Sequence, residues 1–257
     1  MAKAGVYPAR KKNGEPYYRS SFTFRGRHIS LGSFGREAAA HEAYRDALRI
    51  SKSSDSISDY NERAYTLSFE KFVSIINFRD NDVYFSNPIY LRKRYFEYYF
   101  SKMEYYKFDI DDLFYYAEHK IVRRGNHLFV ADYGMQVNLL NRYGIKSHAV
   151  AGRDYRFINQ DATDFRYENI EVINPYYGVS RTTKKGKTVY KASILVNGTC
   201  VIGYYDTPEI AAIAYNKAAD RLMKTGKRQY RQNYVESLSA KEYADLYARI
   251  RLPARFQ

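Results

Sequence analysis

Glycines recur at the two ends of this chain at a nearly constant offset. Gly5-Val6, Gly14, Gly26, Gly32 and Tyr44 are matched by Gly178-Val179, Gly186, Gly198, Gly203 and Tyr215, at offsets of 173, 172, 172, 171 and 171. A duplicated unit tolerates one-residue slips that fall in turns or bulges, so the pattern predicts one module occurring twice. Each copy must then close its own small core, and the 257 residues divide into several small domains.

The text of each copy reads as three short strands and a helix. In the first, Val6 to Arg10, Tyr17 to Phe24 and His28 to Phe34 are strand candidates, separated by the turn signals Lys11-Lys12-Asn13-Gly14-Glu15-Pro16 and Arg25-Gly26. Such short connections make an antiparallel meander. Arg36 to Ile50 then shifts to helical spacing, with Ala39, Ala40, Ala43, Tyr44, Ala47 and Leu48 on one face. In the second copy Thr207 is the expected N-cap and Pro208 the first helical residue, ahead of Ile210, Ala211, Ala214, Tyr215 and Ala218.

A sheet covered by a helix on one face leaves the other to solvent or a partner, and strand parity selects the side chains there. In strand two, Tyr18, Ser20, Phe22 and Phe24 belong under the helix. Arg19, Ser21 and Thr23 then stand outside with Arg25 and Arg27 at the turn, His28 and Ser30 from strand three, and Arg10 and Lys11 at the first turn. The matching set in copy two is Lys191 and Ser193, with Leu195, flanked by Arg181, Lys184, Lys185 and Lys187. Arg and Lys reach phosphates and guanine edges and Ser and Thr reach either, so such a ribbon suits a major groove.

Charge follows the same division. Residues 1–52 carry 11 basic and 4 acidic side chains, residues 53–175 carry 16 and 18, and residues 176–257 carry 15 and 6, so the net +14 lies at the two ends. Two basic segments around a neutral middle are the footprint of a polyanion binder, and no basic amphipathic helix favours a membrane instead. The expected partner is double-stranded DNA. One cysteine, Cys200, excludes an internal disulfide and a cysteine-based zinc site. No apolar run reaches the 18 or so residues of a membrane span, and the first residues lack a signal-peptide stretch. The expectation is a cytoplasmic, nucleoid-associated protein with no cofactor.

The Gly-Val opening, Leu31-Gly32-Ser33-Phe34 and the helix text Glu37-Ala38-Ala39-Ala40-His41-Glu42-Ala43-Tyr44 resemble the ethylene-response-factor, or APETALA-type, DNA-binding domain of plants. Copy two carries Ile202-Gly203-Tyr204-Tyr205 and Ile210-Ala211-Ala212-Ile213-Ala214-Tyr215. The resemblance implies duplex binding through the three-stranded sheet with the helix behind. Plant members carry tryptophans and more arginines on the reading face, whereas this chain has no Trp and places Tyr7 and Ser180 after Gly-Val, so the target sequence stays open.

Between the modules, the Ser-rich stretch 51–59 reads as a hinge. Phe69 to Tyr116 reads as helical and strongly aromatic, with 29 Tyr and 15 Phe in the chain supplying a phenol-rich core. Asp109, Asp111 and Asp112 read as the cap and first turn of a helix. Residues 155–170 resemble the core of HNH homing endonucleases through Asn159, Asp161, Asp164, Arg166, Glu168 and Asn169. That family binds one divalent metal and activates water with a histidine base. Here Arg156 and Phe157 occupy the histidine positions, and neither can accept a proton near neutral pH. His127 and His148 are the nearby imidazoles. Near the end, Ser239 and Glu242 have capping-box spacing ahead of a last helix, expected to pack back on a module.

The sequence therefore predicts an α+β protein: APETALA-type modules at 1–52 and 176–228, a mixed α+β, aromatic-rich middle domain at 53–175 and a C-terminal helix in 229–257. Its expected function is sequence-specific DNA binding in the regulation of transcription or of a mobile element, with no catalytic or metal residues assigned. The alternative is an HNH-type homing or nicking endonuclease with a rearranged centre. Oligomeric state is left open.

Overall fold

β1 (Val6–Arg10), β2 (Pro16–Phe24) and β3 (Arg27–Phe34) form an antiparallel meander followed by α1 (Glu37–Lys52). The computed structural model describes residues 3–256 apart from 126, 133, 147, 148, 225, 227 and 228. After α2 (Phe69–Asn81) come a sheet of β4 (Ile89–Leu91), β5 (Tyr95–Ser101) and β6 (Glu104–Asp109), then α3 (Leu113–Glu118). A third sheet holds β7 (Ile121–Arg124), β8 (His127–Asp132) and β9 (Met135–Asn138), and β10 (Tyr155–Phe157) pairs with β11 (Ile170–Val172). The second meander is β12 (Val179–Lys184), β13 (Lys187–Leu195) and β14 (Thr199–Tyr205), followed by α4 (Pro208–Met223) and α5 (Ala240–Arg249). The protein is α+β.

Both slips in the repeat lie in hairpin loops. Lys11 N donates to Glu15 O at 2.9 Å and leaves three residues at the tip, whereas Lys184 pairs with Lys187 around two. In the next hairpin Phe24 pairs with Arg27 around two residues, and Val196 N reaches Gly198 O at 3.1 Å around Asn197 alone. One bulge is common to both copies. Ser20 faces Gly32 and Ser21 faces Ser30, so Leu31 is skipped. Ala192 faces Gly203 and Ser193 faces Val201, so Ile202 is skipped.

The helix is fastened to the sheet by the same contact in each copy. Gly5 has φ +73°, and a Cβ there would lie 2.1 Å from Tyr44 Cδ2. Gly178 has φ +68°, and its Cβ would lie 2.2 Å from Tyr215 Cδ2 and 2.4 Å from the Ser193 carbonyl oxygen. The tyrosine ring fills the space where any other residue would carry its side chain. Ala40, Ala43 and Ala47, and Ala211, Ala214 and Ala218, are fully buried and let each helix lie close to its sheet.

The chain folds as two compact units, residues 1–137 with 161–167 and residues 138–160 with 168–257. In the first unit Ala43, Ala47 and Ile50 of α1 share one core with Phe72, Ile75 and Ile76 of α2. The Ser-rich stretch read as a hinge is braced: Arg79 donates to the carbonyls of Ile50 (3.2 Å), Ser53 (3.0 Å) and Asp55 (2.8 Å). In the second unit α5 backs α4, as expected, with Val235, Leu252 and Phe256 in the same core. Its predicted capping box forms, Ser239 N donating to Glu242 Oε2 at 2.9 Å.

Each module also caps the last turn of its backing helix with a cation, where carbonyls lack helical partners. Arg25 donates to the Phe78 and Arg79 carbonyls at 3.1 and 3.0 Å and pairs with Asp82. Lys217 donates to the carbonyls of Tyr247 (2.5 Å), Ile250 (2.9 Å) and Ala248 (3.3 Å).

Two expectations for the middle segment are corrected. Tyr95 to Phe100 is not helical but the central strand β5. Phe96 and Tyr98 are buried on one face and Glu97 and Tyr99 on the other, which removes the alternation that marks a half-exposed strand. Phenols do pack in the cores, and two of the buried hydroxyls in β5 are bonded: Tyr98 Oη accepts from Ile121 N at 3.1 Å, and Tyr99 Oη donates to Glu97 at 2.7 Å. Asp109 and Asp112 precede α3 as expected but make no side-chain cap bond. Their carboxylates accept from Tyr167 N and Tyr167 Oη.

Gly5→Ala and Gly178→Ala should each destabilise the fold by about 2–4 kcal/mol, combining a left-handed backbone penalty with overpacking. Urea denaturation measures this, and Tyr44→Ala introduced beside Gly5→Ala should cost less than the two single losses together.

Candidate nucleic-acid interface

Residues directly opposite in an antiparallel sheet project to the same face, so the registers define what each module presents. In the first, Tyr7, Arg19 and Ser33 form one row across the three strands, and all are exposed. Thr23 stands opposite His28, and Ser30 lies between the two rows, also on the surface. In the second module the equivalent row is Ser180, Lys191 and Tyr204. Each row thus centres on a cation, with a phenol on one side and a serine on the other, and the two copies exchange the sides.

Lys184 and Lys187 are paired at the end of the second sheet on the Lys191 face, and Lys185 projects at the turn. Lys184 Nζ sits 4.3 Å from the centroid of the Tyr204 ring, a cation–π contact that holds the ammonium over the face. Among the described residues, no carboxylate pairs with Arg19, Lys184, Lys187 or Lys191.

Several predicted contacts are placed elsewhere. Ser21 is buried, and its N–H donates to Gly5 O at 3.0 Å; Ser193 repeats this with Gly178 O at 2.7 Å. Both serines fasten the module's glycine. Arg25 is engaged with the end of α2, and the Arg27 guanidinium lies 4.7 Å from the Tyr84 centroid, on the side of Phe24. Arg10 donates to Gly14 O and Lys11 pairs with Glu15 at 2.9 Å, so both stabilise the first hairpin. Arg181 is exposed but opposite Tyr190, on the helix-facing parity. Ser33 and Tyr204 were missed because the bulge shifts parity within the third strand. Tyr7 and Ser180 were visible beside Gly-Val but acquire meaning only with the register.

The HNH-like stretch is distributed between the units. Residues 155–160 and 168–172 form a hairpin in the second unit, in which the Asn169 side chain accepts from Asn159 N at 2.8 Å and Arg156 pairs with Glu171 at 2.5 Å. Residues 161–167 belong to the first unit, where Lys107 N donates to Thr163 O at 2.9 Å and Phe165 N to Lys107 O at 2.8 Å. Asp161 accepts from Thr163 Oγ1 (2.6 Å) and Lys107 Nζ (3.0 Å), and buried Asp164 is engaged by Arg166. His127 is exposed on β8, and His148 lies outside the described residues. Among the described residues no three His, Cys, Asp or Glu side chains are grouped to hold a metal ion.

No family model, curated protein or solved structure matches this chain. Among the described residues no helix is long and apolar enough to cross a membrane.

The Thr163 hydroxyl, together with the Lys107 ammonium, holds the Asp161 carboxyl below the usual carboxylate range. A lowered folded value means that its stabilising contribution is complete above the ordinary pKa of about 3.9 and lost as pH falls through the folded value. Asp161→Asn should therefore lower the urea midpoint at pH 7, and this difference from the parent should shrink steadily in more acidic buffer.

Proposed function

We propose that this chain is a sequence-specific double-stranded DNA-binding protein that contacts DNA through the outward faces of its two three-stranded sheets. The observation that carries this reading is the matched row of cation, phenol and hydroxyl at the same register of both modules. An exposed cation without a carboxylate partner contributes to phosphate binding, and Ser, Thr and Tyr hydroxyls add hydrogen bonds to phosphates and base edges. Two such modules in one chain raise the effective concentration for the second contact. A nucleoid-associated regulator of transcription or of a mobile element fits this mode of binding. The carboxylates of the HNH-like stretch serve local structure, which favours binding without cleavage.

The test is selection of sites from random duplex DNA in the presence of Mg²⁺, with the same samples run on a denaturing gel. An enriched bipartite site with intact strands is the expected result, whereas specific nicks would favour an endonuclease. With about six to ten phosphate contacts, affinity should fall about 10³–10⁵-fold between 50 and 200 mM salt.

Arg19→Ala and Lys191→Ala should each weaken binding and make the salt slope shallower by about one unit, with unchanged melting. Arg25→Ala should behave in the opposite way, costing about 1–2 kcal/mol of stability through the end of α2 while the folded protein keeps its affinity. Titrations of labelled duplex alongside thermal melts separate these outcomes.

A further inference from the structure

The second unit concentrates cations at another place, away from the Lys191 face. Lys146 Nζ and the Arg231 guanidinium lie 4.5 and 4.9 Å from the centroid of the same ring, Tyr177. Both line a cavity of about 640 Å³ with Asn141, Tyr176, Tyr234 and Glu236, a volume within the range of about 300–1,000 Å³ typical of small-molecule sites. Among the described residues neither cation has a carboxylate ion-pair partner. Burial draws the Lys146 ammonium down to about 8, with Asp154 opposing the shift. An anion bound in the cavity they both line favours the charged form of each.

The walls are fixed by an amide ladder from α4. The Asn216 side chain donates to Asn233 O at 2.9 Å and accepts from Asn233 N at 2.7 Å. The buried Asn233 side chain in turn accepts from Tyr177 N and donates to Tyr177 O at 3.0 Å. Segments 175–177 and 231–234 are therefore held together before any ligand arrives, which lowers the cost of binding.

The rim adds two different features. The Tyr234 ring is 84% exposed and offers a flat face for stacking. Glu236 repels a phosphate but accepts from an amino or hydroxyl group. A ligand suited to all of these has an anionic end, a planar ring and polar hydrogens.

We propose that this cavity binds a nucleoside monophosphate unit, its phosphate drawn by Lys146 and Arg231 and its base against Tyr234. The unit can come from a free nucleotide or from the 5′-phosphorylated end of a strand.

The probe is 2-aminopurine riboside 5′-monophosphate, whose emission is read directly because the chain contains no Trp. The 257-residue protein should quench it saturably. Arg231→Gln and Lys146→Gln should each weaken binding about 10–100-fold, as expected for loss of a charged hydrogen bond, and the nucleoside without phosphate should bind correspondingly less well. Tyr234→Ala should remove the quench. Arg231 and Tyr234 are exposed, so their variants fold independently of any effect at Lys146, which thermal melting monitors. Displacement by a 5′-phosphorylated oligonucleotide but not by a closed duplex circle assigns the strand end, and absence of displacement by either assigns the free nucleotide. No saturable quench, unchanged affinity in both cation variants, or equal competition by inorganic phosphate overturns the proposal. The Arg19→Ala/Lys191→Ala protein should keep the site, so its fate is separable from that of the sheet faces.

Discussion

The contact between a glycine and a helix tyrosine governs both modules. Because Gly5 and Gly178 lack a Cβ, the rings of Tyr44 and Tyr215 enter the space beside the first strand and prevent the helix from sliding along the sheet. The same glycines offer their carbonyls to Ser21 N and Ser193 N, which fixes the first strand against the second. With that register set, the parity of the central strand turns Arg19 and Lys191 away from the helix. The outward cation is a consequence of an inward packing contact some distance away.

A second layer completes each module and differs between them. α1 is covered by α2 and α4 by α5, yet both backing helices receive a cation at their last turn, from Arg25 of a hairpin tip in one case and from Lys217 of α4 in the other. Similar electrostatics are thus reached from unrelated positions. The chemistry of helix ends is general enough that duplication need not preserve the residue supplying it.

Local rules made much of this legible in the sequence. Glycine spacing located the repeat, turn residues located the hairpins, and Thr207-Pro208 and Ser239…Glu242 marked helix starts that the structure reproduces. Long-range contacts were not legible. Arg25 looked like a free basic residue because its partners at Phe78, Arg79 and Asp82 lie more than fifty positions away. Ser33 and Tyr204 were hidden by a bulge with no sequence mark of its own, and β5 was mistaken for helix because burial on both faces erases alternation. The stretch 155–170 carried a linear pattern of residue types, and the structure divides those residues between two compact units, a division with no mark in the sequence.

The sharing of cores also determines what can be inherited as a piece. A cut after residue 52 would leave the flank of α1 formed by Ala43, Ala47 and Ile50 open to water, and a cut after α4 would do the same to the side that carries Val235, Leu252 and Phe256. The transplantable element is a sheet with two helix layers, and its first hairpin differs in length between the copies without disturbing it. What the sheets touch is therefore set by the first hairpin and the face residues, over a fixed chassis of glycine, tyrosine and backing helix.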